Sequence, residues 1–114
     1  MKKFILIVLI LFTGISVQAQ EKKSKNKKVV FDVAGNCEMC KKRIETAAFS
    51  VKGVKSAIWD VEAKTISLII DENKCQNETV VKAIAQAGHD NQYAKTSNKI
   101  YDALHGCCRY ERKE

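Results

Sequence analysis

Proline is absent from this chain. The cis-proline loop that sits beside the reactive cysteines of thioredoxin-like proteins is therefore excluded, and with it the usual scaffold for thiol-disulfide catalysis. Histidine is scarce: His89 and His105 are the two present. Neither falls in a motif that would pair it with a nucleophile, and no Ser-His-Asp constellation is recognisable, so an enzyme is not expected. Long apolar runs are missing as well. The unbroken stretch Phe4 to Phe12 is too short, and wrongly flanked, for a membrane span.

What that stretch does fit is the core of a secretory signal. Lys2 and Lys3 precede it, and Val17-Gln18-Ala19 follows with small residues for cleavage, so residues 1–19 read as a signal peptide and the mature chain starts near Gln20. No cysteine follows that cleavage site, which argues against a lipid anchor, and no stable membrane insertion is expected after cleavage. The formal net charge of +7 is unevenly spread. Lys22, Lys23, Lys25, Lys27 and Lys28 crowd residues 20–28, which have no apolar periodicity and read as a solvated linker. From Val29 onward 13 basic residues face 12 acidic ones, so the folded part is nearly neutral and nucleic acid is not an expected partner. About 85 residues are left to fold, enough for one small core.

The periodicities define a simple order. Val29, Phe31 and Val33 alternate with polar residues as a strand, broken by Ala34-Gly35-Asn36. Cys40, Ile44, Ala47, Ala48 and Val51 then recur at helical spacing, with an end near Lys52-Gly53. Val54 to Val61 and Thr65 to Ile70 alternate again around the turn Glu62-Ala63-Lys64 and read as a hairpin. A second helix carries Val80, Val81, Ile84 and Ala85 and stops at Gly88; a short strand is expected around Asp90 to Ala94. Residues 95–114 form an extension in which Thr96 or Ser97 caps a last helix through Ile100, Tyr101 and Leu104. The order βαββαβ is the ferredoxin-like α+β arrangement: a four-stranded antiparallel sheet with two helices on one face, followed by a short helical extension.

Five cysteines are many for a domain of this size. In an exported chain an odd count leaves at least one thiol free, ligated or paired between molecules. Cys37-Glu38-Met39-Cys40 lies between the first strand and the first helix, so one turn of chain brings both thiols to one side. Taken alone, the spacing fits a redox pair, half of a zinc site or a soft-metal pair. A helix N-terminus stabilises thiolate there, and Lys41, Lys42 and Arg43 add positive charge that serves either an acidic docking face or simply the solvated side of the helix.

In this order, Gly35-Asn36-Cys37-Glu38-Met39-Cys40, Gly53-Val54 before the second strand and Ala87-Gly88 after the second helix resemble the heavy-metal-associated domain family. The resemblance spans residues 29–94. It implies a binding protein with Cys37 and Cys40 as metal ligands, holding Cu(I) or a similar soft ion such as Hg(II) and passing it on by ligand exchange. The expected recipient is a metal-transporting ATPase or another metal-carrying protein, and the expected compartment, given the leader, is the periplasm. Zn(II) is a further candidate ion, although two cysteines alone leave a zinc site incomplete. Two departures stand out. Asn36 replaces the family's usual Met, and His89 replaces the Tyr that bacterial members often carry. His89 is thus a candidate third ligand or proton-linked modulator, or else an exposed loop residue.

The remaining cysteines leave alternatives open. His105, Cys107 and Cys108 either fold back to complete a site of three or four ligands with Cys37 and Cys40, or the two thiols form a disulfide with each other, with Cys75 or with the Cys37–Cys40 pair. Cys75, in the polar segment before the second helix, is expected to be structural or a disulfide partner.

Overall fold

A computed structural model describes residues 22–113; the expected signal peptide lies outside the described residues. The chain forms strand β1 (Lys27–Asp32), helix α1 (Glu38–Phe49), strands β2 (Val54–Asp60) and β3 (Thr65–Ile70), helix α2 (Asn77–Gln86), a short helix α3 (Asn98–Asp102) and one 3-10 turn (Gly106–Cys108). Among the described residues no helix is long and apolar enough to cross a membrane.

The alternation read in the sequence places the core. The sheet is antiparallel in the order β1-β3-β2, with Phe31 opposite Ile66 and Ile66 opposite Trp59 in one row, and Val29, Leu68 and Ala57 in the next. Because side chains alternate along a strand, these rows share one face. Cys40, Ile44 and Ala48 of α1 and Val80, Val81, Ile84 and Ala85 of α2 are buried, and nearly all of them join those rows in one core. Val30 and Ile58 on the opposite face are 61 % and 60 % exposed, so among the described residues the sheet is covered on one side.

The fourth strand of the ferredoxin-like arrangement does not form as a strand: a single antiparallel bridge, Val33 to Asn91, stands in its place. Ala34 N–H donates to Asp90 O and Gln92 N–H to Asp32 O, so the segment pairs beside β1 for two hydrogen bonds. It then curls away, because Asn91 Oδ1 accepts from the Tyr93 and Ala94 N–H groups while Asn91 N–H donates to Ala94 O. This side-chain turn competes with the ladder and wins. Two boundaries also differ from expectation. β1 begins at Lys27, inside the lysine run, and α1 ends at Phe49, where Ser50 Oγ donates back to Ala47 O and closes the last turn early.

The C-terminal extension folds back on the domain. Ser97 Oγ accepts from the Ile100 N–H and starts α3, as a capping residue should. α3 itself buries nothing, but Leu104, Cys108 and Tyr110 enter the common core. Gly88, which ends α2 at φ +110, makes the close approach possible: a Cβ there would lie 2.7 Å from Leu104 Cδ2. Arg112 closes the strap with two bonds to the Asp90 carboxylate, at 2.8 and 3.1 Å, and another to Thr96 O.

Candidate metal site

Three consecutive backbone carbonyls position the loop that leads into α1. Trp59 Nε1–H donates to Val33 O at 3.0 Å, His89 Nδ1–H to Ala34 O at 2.8 Å and Lys64 Nζ to Gly35 O at 2.6 Å. The three donors come from β2, from the loop after α2 and from the β2–β3 turn, so the loop is tied to most of the domain. Gly35 is required for a second reason. A Cβ at this position would stand 2.9 Å from the Trp59 ring and 3.1 Å from Cys40 Cβ. The loop therefore passes close over the core and delivers the cysteines directly above it.

Cys37 is the N-cap of α1, with extended backbone (φ −144, ψ 175); its side chain makes no cap bond, and its Sγ instead donates to Cys107 O at 3.4 Å. Cys40 lies one turn on and is fully buried. The two Sγ atoms are 3.4 Å apart, and Asn36 N–H donates to Cys40 Sγ at 3.4 Å. The 3-10 turn brings in a third sulfur: Cys108 Sγ is 3.8 Å from Cys37 Sγ and is itself fully buried. The Sγ atoms of Cys37, Cys40 and Cys108 all lie within 4.8 Å of one another.

The other candidate residues fall elsewhere. Cys107 is exposed, with its Sγ 3.8 Å from Met39 Sδ and 4.0 Å from Cys108 Sγ. His105 is exposed at the start of the 3-10 turn, where its carbonyl accepts from the Cys108 N–H. His89 is fully buried rather than an exposed loop residue, and it stands outside the three-sulfur group. Its Nδ1–H is spent on Ala34 O, and its ring stacks on Tyr110 at 5.6 Å. Burial holds its pKa below the ordinary value, more than the Ala34 carbonyl raises it, so the ring is neutral near pH 7. Cys75 packs under Gly53, away from the site, and all five cysteines are free thiols.

The thiols differ in acidity. Burial pushes the Cys37 thiol up, but hydrogen bonds from the Cys40 backbone and from the Cys40, Cys107 and Cys108 side chains outweigh it and bring the pKa down to about 7. Burial and the bonds it donates push Cys108 far above its ordinary value. Cys37 is thus the more acidic thiol, and Cys108 loses its proton to solvent only when a cation takes the proton's place on the sulfur. Lys41 does not serve as free positive charge. It bonds Glu45 at 2.6 Å and Trp59 O at 2.9 Å, clamping α1 to β2. Trp59 and Lys64, which hold the loop, carry no sequence signal of that role. Trp59 reads as core, and Lys64 reads as a turn residue until its left-handed backbone (φ 55) and its reach to Gly35 are seen.

Similarity to known proteins agrees with this geometry. No protein-family model matches the chain. Copper chaperone CopZ of Staphylococcus haemolyticus is 32% identical over 62 residues, which cover 54% of this chain and 91% of that protein. Among solved structures, a CopZ metallochaperone is 29% identical with a TM-score of 0.55, covering 57% of this chain and 98% of its own. A copper binding domain from HMA7, a P-type ATPase, is 26% identical with a TM-score of 0.55, over 57% of this chain and 89% of its own. Oxidized MerP from Ralstonia metallidurans CH34 is 25% identical with a TM-score of 0.56, over 59% of this chain and 94% of its own. By this likeness and by its cysteine cluster the chain is a metal-binding protein and not an enzyme, and it belongs to the heavy-metal-associated domain family.

Proposed function

We propose that this is an exported carrier of Cu(I), which takes the ion on Cys37 and Cys40 and hands it by thiolate exchange to a metal-transporting ATPase in or beside the periplasm. The observation that carries the reading is the pair of sulfurs 3.4 Å apart at the N-terminus of α1, and the lowering of the Cys37 pKa to about 7 by its hydrogen bonds supports it. Thiolates select soft ions, and the positive end of the helix offsets the charge the ligands bring. Cys37 is the half-exposed member of the pair, so an acceptor's thiol reaches the ion on its side while Cys40 still holds it. The ion then moves between proteins without passing through water. Support for copper comes from the copper chaperone and the copper binding ATPase domain that the chain resembles. Support for export is the apolar run Phe4 to Phe12 with its flanking Lys2, Lys3 and Val17-Gln18-Ala19.

Anaerobic titration of the reduced protein with Cu(I) against a competing chelator tests the reading, with Cys37→Ser/Cys40→Ser alongside and Hg(II) and Zn(II) as further arms. Tight one-to-one Cu(I) binding that the double variant loses is expected. Stronger retention of Hg(II) than of Cu(I) under competition moves the function to mercury binding. Failure to hold any of these ions, with rapid exchange between Cys37–Cys40 and a small disulfide, replaces the carrier with a thiol-disulfide redox protein.

A further inference from the structure

We propose that the C-terminal strap is part of the metal site: Cys108 is a third thiolate ligand, and the bound soft ion sits in a three-sulfur, trigonal site closed from within the chain. The proposal rests on the carrier reading for Cys37 and Cys40 and adds a ligand, a geometry and a holding device to it.

Three observations carry it. The first is distance. Metal–thiolate bonds of about 2.3 Å put the sulfurs of a trigonal site about 4 Å apart, and those of a linear two-sulfur site about 4.6 Å apart. Cys37 Sγ lies 3.4 Å from Cys40 Sγ and 3.8 Å from Cys108 Sγ, with all three sulfurs inside 4.8 Å. The trigonal centre needs only a slight opening of the triangle, whereas the linear one needs the helical pair to spread by about 1 Å. The second is burial. Cys40 and Cys108 are both fully buried, so Cys108 is not a thiol that reaches the site only in passing. The third is anchoring. Two residues beyond Cys108, the Tyr110 hydroxyl accepts from Asp90 N–H and donates to Gly88 O, both at 2.8 Å. Arg112 then grips Asp90, and Leu104 fills the space over Gly88 on the other side. The strap is held at both ends, and the turn between them presents the sulfur.

Each thiol that ligates releases its proton to solvent. During transfer an acceptor's thiol displaces Cys108 or Cys37 in turn, so the count of sulfurs around the ion is conserved and no free ion forms. Cys107, one residue away and exposed beside Met39, is not a ligand in this scheme.

X-ray absorption at the copper edge of the Cu(I)-loaded full chain reads the number of bound sulfurs directly. Three sulfurs are expected for the wild type and for Cys107→Ser, and two for both Cys108→Ser and Cys108→Ala. Thermal melting of the metal-free variants checks that the fold survives, and two replacements of different polarity guard against one that fails to fold. Two sulfurs in the wild type, or an unchanged count in the Cys108 variants, overturns the proposal while Cu(I) binding through Cys37 and Cys40 stands. Loss of the third sulfur in Cys107→Ser instead also overturns it. A wild type that takes up no Cu(I) removes the carrier reading itself and the proposal with it.

Discussion

Tyr110→Phe isolates the anchor of the strap. The substitution keeps the ring, its stacking on His89 and its edge contact with Tyr101 at 5.1 Å, and deletes one oxygen. That oxygen serves two buried backbone groups, the Asp90 N–H and the Gly88 carbonyl, each at 2.8 Å. Tyr110 is 2 % exposed, so water has no easy route to replace it. Burial also pushes the phenol up to about 12, so the hydroxyl keeps its proton and donates throughout the neutral range. Leaving a buried donor and a buried acceptor unpaired costs about 2–3 kcal/mol. For a domain of this size that is a fall in Tm of about 10–20 °C. Urea unfolding of the reduced, metal-free protein measures it, with an unchanged slope showing that only stability moved. A loss below about 0.5 kcal/mol would refute the reasoning, because it would mean that the hydroxyl is not holding the strap.

Other consequences follow from the loop and its supports. Gly35→Ala drives a methyl group into Trp59 and Cys40, so it should destabilise the fold by about 1–3 kcal/mol and weaken Cu(I) binding at the same time; wild-type affinity in the chelator assay would contradict the loop's dependence on that contact. His89 is held neutral by burial, against Asp90 and together with Arg43, whereas the unfolded chain takes up a proton there near pH 6.5. Its contribution is therefore complete above that pH and declines as the pH falls below it, and His89→Phe should flatten the pH dependence of the urea midpoint between about pH 7 and 5. Asp60 and Asp71, whose pKa values are lowered chiefly by backbone N–H donors, lose their contributions only in the more acidic carboxylate range, so the two windows separate. Arg112→Ala removes a paired, half-buried guanidinium and should cost about 1–2 kcal/mol by the same assay, with no change in the sulfur count because Tyr110 and Leu104 still hold the turn.

Much of this was legible in the residues. The period of Ile66, Leu68 and Ile70 and that of Ile44 and Ala48 fixed elements whose inward faces are those observed, because burial on one face leaves a strong pattern. The Cys37–Cys40 pair at the head of a helix was visible for the same reason. What escaped was set by contacts distant in sequence. Asn91 ends the fourth strand through its own side chain, a local bond that competes with a ladder the pattern alone would allow. Cys107 and Cys108 are adjacent and chemically alike, and only the burial of Leu104 and Tyr110 on either side decides which sulfur turns inward. His89 lies in the loop beside the metal loop, where the family resemblance made it a candidate third ligand, but there it donates its proton to a carbonyl.

Ligand exchange at Cys37 and Cys40 makes the ion cargo rather than a resident group. Its most direct test mixes the Cu(I)-loaded protein with an isolated two-cysteine metal-binding domain of a copper-transporting ATPase, and separately with a bulky chelator that cannot enter the site. Transfer to the domain should rise with its concentration and run faster than release to the chelator, since the acceptor's thiol takes hold before Cys40 lets go. Equal rates for domain and chelator, independent of acceptor concentration, would mean that the ion leaves into water first, and would contradict the account.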